Sequence, residues 1–139
     1  MRVFLDTNVL VSGFATRGLC ADVIRLVLAE HELIVGKVVL EEVRKVLTRK
    51  IHLPEPLVAE ILTFLESQTV QAKPKTTPSV RIRDEADLMI LASALAAKAD
   101  VLITGDKDLL EVSDQVPGLL ITDPRGFWNV AQKGSREER

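Results

Sequence analysis

The stretch Val3-Phe4-Leu5-Asp6-Thr7-Asn8-Val9-Leu10-Val11 places one carboxylate in the middle of an apolar run near the start of the chain. Residues 3–5 predict a fully buried strand, and Asp6 follows at the point where that strand ends. An unpaired buried carboxylate is costly, so a cation, a partner charge or several hydrogen-bond donors usually meet it. The alternative is structural: Asp6 caps the next turn, and Thr7 and Asn8 form that turn. This stretch alone leaves both interpretations open.

Short apolar strands alternate with helical patterns along the rest of the chain. The first strand leads through a turn and a short loop, closed by Arg17 and Gly18, into the first predicted helix. Further strands are predicted at 33–35, 69–72, 101–104 and 119–121, and helices at 21–30, 38–50 and 88–98, after Pro54 and after Asp123. This alternation predicts a three-layer α/β domain, in which a parallel sheet has helices on both faces.

Length and composition predict one domain of 139 residues, with the folded part at 1–132 and a frayed polar tail at 133–139. A formal net charge of −2 argues against an avid, non-specific nucleic-acid binder. Aromatic residues make up only 4% of the chain, with no tyrosine, which argues against a base-stacking platform. Cys20 is the only cysteine, so the chain has neither a disulfide framework nor a thiolate metal cluster.

No apolar run approaches the roughly 18 residues that a membrane-spanning helix needs. A strand that begins at residue 2 and already carries Asp6 also leaves no room for a signal peptide. We therefore expect a cytoplasmic protein that does not enter the membrane.

Four acids lie at predicted element ends that such a fold brings together: Asp6, Glu42, Asp87 and Asp106. Asp6 and Asp106 each follow a strand, and right-handed crossovers put the ends of parallel strands at one edge of the sheet. Several carboxylates in one crevice repel one another, so they either share protons or bind cations. An oxygen-only set without histidine or cysteine suits Mg²⁺ or Mn²⁺ better than Zn²⁺, as in metal-assisted phosphodiester hydrolysis.

Each of these acids also has a structural alternative. Asp84 and Asp87 can serve as the cap and the first-turn acid of one helix, and Asp106 and Asp108 can do the same for the next. On the helix at 38–50, Glu42 can pair with a lysine on a solvated face.

Five segments of the chain together resemble the PIN-domain ribonucleases, in particular the toxin components of bacterial and archaeal toxin–antitoxin pairs. They are Val-Phe-Leu-Asp-Thr-Asn-Val-Leu at 3–10, Leu-Glu-Glu-Val-Arg-Lys-Val-Leu at 40–47, Asp-Glu-Ala-Asp at 84–87, Leu-Ile-Thr-Gly-Asp-Lys-Asp-Leu-Leu at 102–110 and Asp-Pro-Arg-Gly-Phe at 123–127. The resemblance rests on the order and spacing of the whole set. The segment before Asp87 departs from it by lacking the usual proline and an additional polar residue.

The resemblance implies a Rossmann-like sheet of about five parallel strands and a Mg²⁺- or Mn²⁺-dependent endoribonuclease. The catalytic and metal-binding residues that it implies are Asp6, Glu42, Asp87 and Asp106. Possible supporting residues are Asn8, Thr104, Asp84 and Asp108, and for Asp84 and Asp108 the sequence favours capping. Glu41 competes with Glu42 for its role, but the register of the segment favours Glu42.

The resemblance further implies an RNA substrate, a small antitoxin protein as partner, and a homodimer or higher homo-oligomer. Arg81, Arg83 and Lys107 lie beside the acids and form a basic fringe for RNA phosphates or, alternatively, solvated loop charges. Two other functions stay open. One is a phosphohydrolase with Asp6 as nucleophile, although such enzymes usually carry a second aspartate where this chain has Asn8. The other is a non-catalytic PIN-like module that binds RNA or protein.

Overall fold

The computed structural model describes the backbone of residues 1–137 and the side chains of residues 1–133. The strands are β1 (Arg2–Leu5), β2 (Glu32–Gly36), β3 (Thr69–Gln71), β4 (Val101–Ile103) and β5 (Leu120–Thr122). The helices are α1 (Thr7–Ala15), α2 (Leu19–Glu30), α3 (Lys37–Arg49), α4 (Glu55–Glu66), α5 (Glu85–Ala96), α6 (Lys107–Glu111) and α7 (Pro124–Glu137), with a 3₁₀ turn at Ser113–Gln115.

The five strands form one sheet in the order β3-β2-β1-β4-β5, and every neighbouring pair is parallel. Strand β1 lies at the centre, where Val3 is in register with Leu33 of β2 and Val101 of β4. The strand order reverses beside β1, and in open α/β sheets the ligand crevice lies at such a switch point, outside the carboxyl ends of the strands. The predicted α/β fold with about five parallel strands is confirmed.

Both faces of the sheet are covered. Val3, Phe4 and Leu5 are all fully buried, although successive residues of a strand point to opposite faces. The same holds for the three residues of β4. The carboxyl ends of β1 and β4 therefore open from a rigid apolar core, and the side chains that follow them are held in fixed positions.

Helix α1 corrects our prediction of a turn and loop after the first strand. The apolar run at Val9 and Leu10 shows no helical periodicity, yet both residues are buried within α1. The helix packs closely against α2 at Gly13, where an added Cβ would clash with Ile24. Packing of this apolar face against neighbouring helices outweighs the weak intrinsic helix propensity of valine.

The carboxyl-terminal helix begins as predicted, with Asp123 as cap and Pro124 in the first position. The Asp123 carboxylate accepts a hydrogen bond of 2.7 Å from the Gly126 backbone N–H. Helix α7 is described as far as Glu137, residues 138–139 lie outside the described residues, and the fraying predicted for 133–139 stays a prediction. None of the described helices is long and apolar enough to cross a membrane.

Candidate active site

Asp6 is both a helix cap and a buried acid between the two central strands. Its Oδ1 accepts a 2.7 Å hydrogen bond from the Thr7 backbone N–H, which caps α1, and its side chain is only 6% exposed. Its backbone N–H donates to the Ile103 carbonyl oxygen of β4 over 3.0 Å. The structural interpretation of Asp6 as a cap is therefore confirmed, and it coexists with a carboxylate held at the end of β1.

Thr104 links Asp6 to Asp106 through a single hydroxyl group. The Thr104 Oγ1 donates a 2.7 Å hydrogen bond to Asp6 Oδ2 and accepts one of 3.0 Å from the Asp106 backbone N–H. The Thr104 side chain is fully buried, so water does not compete for these bonds. This hydroxyl fixes the position of the β1 acid relative to the loop that follows β4.

Three acids lie close enough to share one ion. Asp87, Asp106 and Asp108 each offer a carboxylate oxygen, and these three atoms all lie within 4.8 Å of one another. Asp106 also caps α6, because its Oδ1 accepts a 2.8 Å hydrogen bond from the Asp108 backbone N–H. The sequence favoured capping for Asp108, whereas the structure makes Asp106 the cap and places Asp108 in the acid group.

Glu42 lies near this group but outside its closest set. Its side chain is exposed on α3, and its charge is close enough to raise the pKa of Asp6. The competing Glu41 forms an ion pair with Lys73, at 3.3 Å from Oε2 to Nζ. With Glu41 engaged elsewhere, Glu42 is the acid that α3 contributes.

The supporting residues have different positions. Asp84 is the cap of α5, since its Oδ1 accepts a 2.8 Å hydrogen bond from the Ala86 backbone N–H. Asn8 is exposed in the first turn of α1. The sequence suggested only a turn at Thr7, whose hydroxyl is buried beside Asp6 without a hydrogen-bond partner in the described part of the chain. Its only signal in the sequence was its position directly after the acid.

The charges of the acids are incompletely compensated. Burial raises the pKa of Asp6, hydrogen bonds from Thr104 and Thr7 oppose that rise, and the charges of Glu42 and Asp106 add to it. Burial also raises the pKa of Asp87 to about 7, and the charges of Asp106 and Asp84 act in the same direction. Among the described residues, no lysine or arginine forms an ion pair with any of these acids.

A hard divalent cation fits this donor set. The ligands on offer are carboxylate oxygens from two strand ends and three helices, with no histidine or cysteine in the closest group. Oxygen-only sites of this kind suit Mg²⁺ or Mn²⁺, and a cation would offset the burial and the repulsion that together raise the pKa values of Asp6 and Asp87. The basic residues Arg81, Arg83 and Lys107 are exposed and lie close to Asp84, Asp87 and Asp106 in the sequence.

Comparisons with known proteins identify a family and a similar fold. A family model described as PIN domain matches residues 2–108, a range that includes Asp6, Glu42, Asp87, Asp106 and Asp108. No curated protein matches the chain. Among solved structures, one similar chain belongs to the crystal structure of VapBC2 from Rickettsia felis. In that structure VapBC2 is bound to a DNA fragment from its promoter. The match has a TM-score of 0.62 at 18% sequence identity, and it covers 88% of this chain and 98% of the other.

Proposed function

Because this chain belongs to the PIN domain family, we propose that it is a metal-dependent endoribonuclease with Asp6, Glu42, Asp87 and Asp106 as catalytic, metal-binding residues. The observation that carries the proposal is the meeting of acids from separate parts of the chain at one sheet edge, without an ion-paired cation among the described residues. A structural role does not require such an arrangement, since each helix involved needs only one capping acid.

Each residue of the site has a role that its position supports. Asp87 and Asp106 would hold Mg²⁺ or Mn²⁺, with Asp6 and Glu42 completing the site directly or through water. Thr104 holds Asp6 and the backbone of Asp106 at a fixed separation. When bound, the cation supplies an activated water and neutralises charge on the phosphate. Arg81, Arg83 and Lys107 would hold phosphates on either side of the scissile bond.

The two alternative functions have less support. An aspartyl-phosphate mechanism usually uses a second aspartate two residues after the nucleophile, and this chain has Asn8 at that position. A non-catalytic binding module has no need for several acids that destabilise one another, and all four acids of the family pattern are present. Both observations favour the metal-dependent nuclease.

We also propose that the nuclease is a cytoplasmic toxin, held inactive by a small antitoxin, and that it forms a homodimer or a higher homo-oligomer. The resemblance of the five sequence segments supports these roles, and the fold similarity to a chain of VapBC2 agrees with them. If this is correct, induced expression stops growth, expression of the Asp106→Asn variant does not, and a small protein encoded beside the gene restores growth.

Cleavage of RNA tests the proposal. Purified protein is incubated with structured and unstructured RNA in Mn²⁺, Mg²⁺ or EDTA, beside the variants Asp6→Asn and Asp106→Asn. We expect internal cleavage that needs the metal and falls about 100-fold or more in both variants. Asp114→Asn is the matched control, because Asp114 is an exposed acid outside the cluster. Cleavage that survives EDTA, or that survives in both cluster variants, would contradict the proposal.

A further inference from the structure

Helix α3 carries a row of cations that leads away from Glu42. Lys45 and Arg49 follow Glu42 by three and seven residues, and both are exposed. At 3.6 residues per turn, Arg49 lies within about 20° of Glu42 around the helix axis and about 10 Å further along it. The helix face that brings Glu42 to the acids therefore continues as a basic surface.

The same two residues line a cleft between α3 and α4. The cleft has a volume of about 320 Å³, and Arg44 and Thr48 also contribute to its α3 side. Val58 of α4, a core residue only 3% exposed, provides an apolar part of its lining. Basic side chains, a hydroxyl group and an apolar surface thus meet in one concave site, as small ligand sites require.

The charge of the cleft opposes that of the whole chain. Arg44, Lys45 and Arg49 line it against a single carboxylate, that of Glu55, whereas the chain has a formal net charge of −2. None of the three cations forms an ion pair with a carboxylate of the described residues. Their hydrogen-bond donors are therefore available to an anion.

We propose that this α3–α4 cleft binds a phosphate of the RNA strand beside the cleavage site, an inference that rests on the ribonuclease activity proposed above. Apolar atoms of the cleft would contact the adjoining ribose, and Lys45 and Arg49 the phosphate oxygens. RNA fits better than an acidic protein segment because the basic row is continuous with the face that carries Glu42. The acids repel an RNA strand that lies over them. The basic residues of α3 would give the same RNA strand an attractive contact.

The test compares two double variants that each remove two positive charges. Lys45→Gln/Arg49→Gln changes the cleft, and Arg25→Gln/Lys98→Gln is the control, since Arg25 and Lys98 are exposed and line neither the cleft nor the acid site. In an inactive Asp106→Asn background, binding of a single-stranded RNA is measured by fluorescence anisotropy over a range of salt concentrations. Thermal unfolding of each variant confirms that the fold is retained.

We expect the cleft variant to raise the Kd for RNA about 10-fold, while the control changes it less than twofold. Loss of this one phosphate contact should lower the slope of log Kd against log salt by about 0.7, the value per contact for single strands. In the active background, the cleft variant should raise KM and leave kcat within about twofold, because the contact lies outside the reacting group.

Two results would overturn the inference. The first is a cleft variant with the same Kd and salt slope as the control. The second is unchanged RNA binding together with lost binding of a polyglutamate peptide, which would assign the cleft to an acidic protein segment. If the parent protein cleaves RNA with metal while either result holds, the proposed function stands and only this inference fails. If the parent neither binds nor cleaves RNA, both fail.

Discussion

The Thr104 side chain connects the two strand ends on which the site depends. Its hydroxyl donates to Asp6 Oδ2 at 2.7 Å and accepts from the Asp106 N–H at 3.0 Å, and it is fully buried. Partners of this kind orient metal ligands, and their loss commonly costs 10- to 100-fold in activity or metal affinity. The Thr104 hydroxyl therefore fixes the distance between the Asp6 carboxylate and the backbone of Asp106.

We predict that Thr104→Val lowers RNA cleavage about 10- to 100-fold and reduces the free energy of unfolding by about 1–3 kcal/mol. Valine keeps the shape of threonine but leaves Asp6 Oδ2 buried without its donor. Steady-state cleavage and urea unfolding measure the two effects. Thr104→Ser is the control, since it restores the hydroxyl and should recover most of both losses. A valine variant as active and as stable as the parent would refute the role given to this hydroxyl.

The raised pKa of Asp87 makes the free energy of unfolding depend on pH. Burial and the neighbouring acids raise the pKa of Asp87 from 3.8 to about 7 in the folded protein, and the pKa of Asp6 is raised as well. Between about pH 4 and about pH 7, the Asp87 carboxyl group is largely protonated in the folded state and ionised in the unfolded state. The contribution of these two acids to the stability of the metal-free protein is therefore fully present below about pH 4 and is lost as the pH rises through about 7.

We expect Asp87→Asn to remove part of this fall and to stabilise the metal-free protein at pH 7 by up to about 1 kcal/mol, because solvent partly screens the half-buried site. Urea unfolding in EDTA between pH 4.5 and 7.5 measures the effect. Asp114→Asn, which changes an exposed acid outside the cluster, should leave the pH dependence unchanged. If the free energy of unfolding changed with pH in the same way for the parent and for Asp87→Asn, the ionised form of Asp87 would not be destabilised in the folded state.

At the scale of elements, the short helices that begin at the sheet edge position the acids. Asp6 caps α1, Asp84 caps α5 and Asp106 caps α6, so each helix start also orders a carboxylate. The sequence favoured capping for Asp84, which is confirmed, whereas capping by Asp106 was only its alternative to a metal-binding role. It did not predict α1, because residues 9–11 form an apolar run without helical periodicity, and only its burial against other helices decides the structure.

We predict that Gly13→Val destabilises the protein by about 1–3 kcal/mol, because its side chain would clash with Ile24 and crowd the Cys20 carbonyl oxygen. The overpacked α1–α2 contact would also displace the helix that Asp6 caps. Thermal or urea unfolding measures the loss. Gly105→Val is the control for stability, since nothing lies within 4 Å of a Cβ at Gly105. Equal stability of the two variants would contradict close packing of α1 against α2.

At the scale of the whole molecule, the strand order β3-β2-β1-β4-β5 brings residues 6 and 106 together, although 100 positions separate them. The alternation of strands and helices predicted this α/β architecture, and with it the edge at which Asp6 and Asp106 meet. The distances could not be predicted, because they depend on side-chain packing. For that reason the sequence did not indicate that Asp108 lies in the closest acid group and Glu42 outside it. It also did not indicate the ion pair of Glu41 with Lys73.

The proposed activity depends on one property of the site, the convergence of these acids to hold a divalent cation. Titration calorimetry of Mn²⁺ into the metal-free protein at pH 7 measures that property, with Asp106→Asn and Asp87→Asn beside the Asp114→Asn control. We predict saturable binding to the parent and the control, weakened at least about 10-fold in each cluster variant because a ligand oxygen and a negative charge are lost. Absence of Mn²⁺ binding to the parent, or equal affinity in all four proteins, would contradict a metal site formed by these acids.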